Sequence, residues 1–354
     1  MENVSVRQDV QHRHPHLQWA SVALLIFTGL FTLASLVLTA FVIASPELEN
    51  DYSFNMINII VSQLCCMLPP VVVVCHIKKA DFLTVMRLRK GINFLQVLLL
   101  IGISFGLIYV ANGVNSIFLG VLELTTGYTP SGSELPIDTL PQMIFAAFLY
   151  GLLPAFCEEF FFRGLVMRAF ERFSAFAAIV FSALIFGIMH GNLQQVLFAA
   201  VIGVVLAVVV RQSDSIVPAM VIHFTNNFLA MVINFINSGA AEEEVVMTPV
   251  DTITGGFSLV IAGMPILALL IPYIFYTKKR NLKKYGRRDP EELSKGYADL
   301  VQAGNLRFTS EGAVKMNPAG RLPVLAYVGL GVFLVTQLTN ILTEFLIGIG
   351  VLGV

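Results

Sequence analysis

What this sequence has least of is charge. Only 13% of its 354 residues are Asp, Glu, Lys or Arg, about half the roughly 25% of an ordinary soluble domain. With 56% hydrophobic residues and a mean hydropathy of +0.79, it cannot cover a water-facing surface. That excludes the two soluble domains that length alone would suggest. A net charge of −1 supplies no global basic field, so nucleic acid is not an expected partner. Cysteine is sparse as well. Cys65, Cys66, Cys75 and Cys157 all sit in apolar stretches, which argues against a secreted disulfide framework. Also missing are a Walker-type glycine loop and an inverted pair of interrupted helices that would announce a transporter.

What is present is a series of charge-free runs: Leu17–Pro46, Tyr52–Ile77, Gly91–Leu122, Thr139–Cys157, Phe173–Val210, Ser215–Ala241, Thr252–Thr277 and Leu322–Thr343. About 20 apolar residues cross the hydrocarbon as a helix, so most runs hold one span. Phe173–Val210 is too long for one and is interrupted by Gly191-Asn192 just after His190, which predicts two helices meeting there. The expected fold is an all-α polytopic transmembrane helix bundle of about nine spans around a polar intramembrane cavity. Three regions follow: 1–139 with three spans, 140–237 with four, and 238–354 with two spans and a loop at 277–322.

The few charges orient the bundle. All 22 Lys and Arg residues fall on segments 1–16, 77–91, 163–174, 211–214 and 277–322, whereas loops 46–53, 113–140 and 237–255 carry none and hold ten acidic residues. The positive-inside rule then places the N-terminus in the cytoplasm and the C-terminus outside, in what we expect to be a bacterial cell membrane. The first span is too long for a signal-peptide core and is read as an anchor. His12, His14 and His16 read as a solvated tail, and Lys278–Arg288 as a topology determinant touching anionic lipid. Residues 289–321 form a polar loop without an assignable motif.

Ionisable groups inside hydrocarbon are expensive and mark function. Within the spans the acidic residues are Glu158, Glu159 and Glu344, and the embedded histidines are His190 and His223. Glu159 and Arg163 are four residues apart on one helix face and can pair, while Glu158 is rotated about 100° away toward another partner. His190 closes the fifth span in Phe186-Gly-Ile-Met-His190, and His223 shares a face with Asn227 in His223-Phe-Thr-Asn-Asn227. A carboxylate, two imidazoles and an amide suit hydrolysis by activated water. Glu158 would be the general base, His190 would hold or relay, and His223 with Asn227 would donate to an oxyanion. At about 1.5 Å per residue, Glu158 lies about 15 Å from Arg168, and His190 about 24 Å from Ser174. These depths agree only if Arg163 is itself buried and paired with Glu159, with the membrane boundary near Arg168 or Arg172. They set the site between the midplane and the outer half.

These pieces resemble the signature of the CPBP membrane proteases, which include the type 2 CAAX prenyl endopeptidases. The signature is a Glu-Glu pair with an arginine four after the second glutamate, then Phe-x-x-x-His, then His-x-x-x-Asn. Here it stands as Glu158-Glu159…Arg163, Phe186…His190 and His223…Asn227, in order, within about residues 140–235. The resemblance implies that Glu158 and His190 activate water, that His223 and Asn227 form the oxyanion site, and that Glu159 and Arg163 support them. It implies a glutamate-type endopeptidase without a metal or other cofactor. Its substrate would be a peptide or a lipidated, prenylated protein at the bilayer. The family also includes bacteriocin-immunity proteins and members without demonstrated proteolysis, so a non-catalytic scaffold of the same fold is the first alternative. A zinc-dependent version using Glu158, His190 and His223 is the second, although no His-Glu-x-x-His helix is present. Cys157 as a nucleophile has no base placed for it, and a channel or transporter is the remaining class.

Overall fold

With no water in hydrocarbon to satisfy backbone groups, each apolar run must close its own hydrogen bonds, and each becomes a helix. The structure, a computed structural model, describes residues 17–78, 80–129, 137–171, 173–238, 247–285, 306–308, 314–316 and 324–352. The helices are α1 (Leu17–Ala44), α2 (Tyr52–Ile77), the short α3 (Phe82–Val85), α4 (Phe94–Thr126) and α5 (Leu140–Glu171). They continue as α6 (Ala175–Met189), α7 (Leu193–Ser213), α8 (Val217–Ser238), α9 (Pro249–Leu267), α10 (Leu270–Tyr285) and α11 (Val324–Gly348). Among the described residues eight stretches are long and apolar enough to cross a membrane, α9 and α10 counting as one, and α6 adds a shorter apolar helix of 15 residues. The protein is a multi-pass integral membrane protein with an all-α bundle.

The starts of these helices are written in the sequence. Asn93 with Gln96, Thr139 with Gln142 and Thr248 with Asp251 form capping boxes at α4, α5 and α9, each satisfying otherwise orphaned first-turn N–H groups. The long run Phe173–Val210 divides where expected. His190 ends α6, Gly191 takes φ +68°, and the Asn192 side chain caps α7 through Gln195 N.

One feature follows the depth reading and one was not expected. The fourth span runs beyond its charge-free stretch, as α5 through Glu158, Glu159 and Arg163 to Glu171, in line with the depth arithmetic. It does so because Arg163 finds a partner inside the bundle and needs no headgroup. The polar segment after α10 also contains a small antiparallel hairpin, β1 (Leu306–Phe308) with β2 (Val314–Met316). The His12, His14 and His16 tail, Arg172, Arg287 and Arg288, and the rest of 289–321 lie outside the described residues.

Close packing comes from glycine. Gly113 on α4 meets Gly256 on α9 so tightly that a Cβ on Gly113 would stand 2.5 Å from the Gly256 carbonyl, the small-residue contact that lets membrane helices approach. The first and last spans touch at Gly329, against the Ser21 backbone. Phe27, Phe161 and Phe333 join α1, α5 and α11 through ring contacts of 5.6 and 6.4 Å.

The basic segments collect at one end of the bundle. Arg87 and Arg211 both bind Glu171, at 2.7 and 3.1 Å, and Lys90 binds Asp214 at 2.7 Å. Arg168 donates to the carbonyls of Thr84 and Val85. At the opposite end Glu344 of α11 accepts from the Tyr128 hydroxyl and from the backbone N–H of Leu193.

Candidate active site

Three segments of the bundle widen from α- to π-helix: Val61–Met67 in α2, and Ala147–Leu152 and Phe160–Val166 in α5. Prolines explain two of them. Pro69, Pro70 and Pro154 have no N–H for the carbonyl four residues back, so the turns before them lose their regular ladder. Each widened turn carries a residue of the site: Gln63, Tyr150 and Arg163. That agrees with the general tendency of π-bulges to occur at functional positions.

The centre is the Glu158-Glu159 pair on α5. Arg163 is fully buried, as the depth argument requires, and its guanidinium lies 2.9 Å from Glu159 Oε1. It also donates to the Gly203 carbonyl and stands 4.5 Å over the Phe186 ring. The same Glu159 oxygen is 2.9 Å from His223 Nδ1. Because Glu159 is held by Arg163 as a carboxylate, it accepts, and His223 Nδ1–H donates. That fixes the ring and turns Nε2 toward Glu158, whose Oε2 lies 3.7 Å away. This gap is too wide for a hydrogen bond, and Glu158 Oε2 accepts no hydrogen bond from the protein.

His190 is oriented by the same device. Its Nδ1 is 3.0 Å from the Phe186 carbonyl, which can only accept, so Nδ1 carries the proton and Nε2 presents a lone pair. Glu158 and His223 both act electrostatically on this ring. Phe186 stands between the two imidazoles, edge to face with each, at 5.3 Å from His190 and 5.9 Å from His223. Phe186 is thus the spacer of the cluster, which gives a physical reason for a phenylalanine four residues before the histidine.

Asn227 lies further along. Helix α8 runs antiparallel to α5, so one turn beyond His223 it reaches Tyr150, not the glutamates. Its Nδ2 donates to the Tyr150 carbonyl at 2.8 Å, the carbonyl that Pro154 leaves without a backbone donor. One amide N–H is thereby committed, and the other remains. The structure thus brings Glu158, Glu159, Arg163, His190 and His223 together and sets Asn227 at the margin. Among the described residues no three His, Cys, Asp or Glu side chains are grouped to hold a metal ion. Cys157 is buried and free.

One residue in contact with the site was not singled out from the sequence. Gln63 on α2, only 5% exposed, donates from Nε2 to Glu158 Oε1 at 2.9 Å. A search for ionisable groups passes over a neutral amide. Its signal was that of a hydrogen-bonding side chain in a charge-free span, just ahead of Pro69-Pro70.

Residues 140–229 match the family described as Type II CAAX prenyl endopeptidase Rce1-like. The match covers all seven signature residues and bears out the family resemblance over about a quarter of the chain. It supports a hydrolase of the protease class embedded in a membrane. Gln63 and Glu344 lie outside the matched residues. No curated protein and no solved structure matches the chain.

Proposed function

We propose that this protein is an intramembrane glutamate-type endopeptidase. The observation that carries the reading is the unbonded 3.7 Å gap between Glu158 Oε2 and His223 Nε2, in a buried site where both histidines have their Nδ1 atoms tied. Glu158 takes a proton from water, and the water oxygen attacks the peptide carbonyl carbon. His190 Nε2 accepts the second water hydrogen and fixes the direction of attack. With His223 protonated on both nitrogens, the buried charges of Glu158, Glu159, Arg163 and His223 cancel, which a low-dielectric site requires. Its Nε2–H then donates to the developing oxyanion, together with the second N–H of Asn227. Collapse breaks the C–N bond as Glu158 returns its proton to the leaving amine. The substrate we favour is a prenylated or otherwise membrane-associated protein or peptide. We place the N-terminus in the cytoplasm and the C-terminus outside, with the bilayer as a permanent partner.

Comparing membrane peptides from cells carrying the wild type with cells carrying Glu158→Ala tests this. An uncleaved precursor accumulating in the variant is expected. No accumulation, with the variant inserted at normal level, would favour a non-catalytic scaffold or immunity protein of the same fold. Loss of wild-type cleavage with a chelator, restored by zinc, would favour the metal-dependent version.

A further inference from the structure

We infer that Gln63 is a positioning residue for Glu158, selecting which carboxylate oxygen serves as the base. The inference rests on the protease reading for its consequence, and on geometry for its substance. A carboxylate has two equivalent oxygens and rotates about one bond, so a general base with no fixed partner presents either one. Gln63 removes that equivalence. Its Nε2–H donates to Oε1 at 2.9 Å, and rotating the carboxylate would give up a charge-assisted hydrogen bond inside the membrane. Oε2 is left without a hydrogen bond from the protein, facing His223 Nε2 at 3.7 Å. The amide orientation is not arbitrary: flipped, Gln63 would set its own oxygen against a carboxylate oxygen.

The local structure holds the amide in place. Gln63 lies in the π-helical turn Val61–Met67, where Gln63, Cys66 and Met67 are all buried. That turn is on a span outside the matched residues 140–229. The family core therefore does not contain every group that touches its own base; the second span of the chain supplies one.

The full-length protein in lipid nanodiscs carries the test, with a farnesylated peptide ending Cys-aliphatic-aliphatic-X and bearing a fluorophore and quencher across the scissile bond. Removal of one hydrogen bond to a charged group predicts that Gln63→Leu lowers kcat about 10- to 100-fold. KM should stay within about two-fold, because the bond is made to the base and not to substrate. Gln63→Glu keeps size and polarity but sets a second carboxylate against Glu158, and kcat should fall at least as far. A second readout needs no substrate. The infrared carboxylate bands of Glu158, identified as those missing from Glu158→Gln, should shift in Gln63→Leu. Unchanged kcat in a folded Gln63→Leu overturns the proposal, as does a loss confined to KM. If the wild type does not turn over this peptide, the protease reading is what fails on it. The infrared comparison still decides the role of Gln63, and unshifted bands overturn it.

Discussion

Two arginine clusters are gathered around carboxylates of the same helix, α5, and are built in opposite ways. Toward the middle of the bundle, Arg163 is fully buried and shares one carboxylate, Glu159, with His223. At the basic end, Glu171 takes two arginines, Arg87 and Arg211, while Asp214 takes Lys90 from a position 40% exposed at the side chain. The outer cluster fastens the 81–90 loop and the end of α7 to α5, and three of its members, Lys90, Asp214 and Arg211, have water to fall back on. The inner cluster has none. Each of its charges persists only because another stands beside it, so it aims groups where the outer one ties segments together. The difference teaches that arginine on a membrane helix has two separate uses, and that depth tells them apart.

The comparison breaks most sharply at Arg163. Arg163→Met leaves Glu159 buried without its counter-charge and should cost about 3–5 kcal/mol, read as a lowered thermal midpoint in detergent. Adding Glu159→Gln should recover most of that loss, because the orphaned charge goes with it. A double variant no better than the single one would contradict the account of the inner cluster. Next comes Glu171→Gln, which weakens the bonds to Arg87 and Arg211 at a nearly buried position; about 1.5–3 kcal/mol is expected. Asp214→Asn should stay within about 1 kcal/mol, since Asn tolerates the left-handed backbone at φ 51°. Raising salt to about 1 M should erase the Asp214 effect and leave that of Arg163→Met intact.

The smallest effect belongs to Asp81 at the same end. The Thr84 hydroxyl, and then Arg89, hold its carboxyl below the usual carboxylate range. A group depressed in the folded state contributes stability above its unfolded pKa and loses it as pH falls through the folded one. The difference in thermal midpoint between wild type and Asp81→Asn should therefore close between about pH 5 and pH 3. A difference that widens on acidification would reverse the assigned sign.

Much of this could be read from residues alone. Charge-free runs mark spans because hydrocarbon enforces them, and Gly191-Asn192 marks the α6–α7 junction because one can take a positive φ and the other can cap. The burial of Arg163 followed from depth arithmetic that compares Glu158 on α5 with His190 on α6. What stayed hidden depends on contacts between distant spans. Gln63 reaches Glu158 across 95 positions of sequence, and Asn227 meets a carbonyl whose vacancy is created by a proline on another helix. The glycine seam between α4 and α9 was equally silent, because the spacing of glycines on one helix does not name the helix they face. Glu344 was visible as an acid within a span, but its role was not.

That role has a consequence for biogenesis. Glu344 closes the first turn of α7, just after His190, by accepting from Leu193 N–H, and it comes from α11. During synthesis, α5 to α8 leave the ribosome well before residue 344. The turn that carries His190 thus waits for this fastening until α11 has been made. A nascent chain halted before α11 would hold every signature residue and still lack the carboxylate that secures one of them.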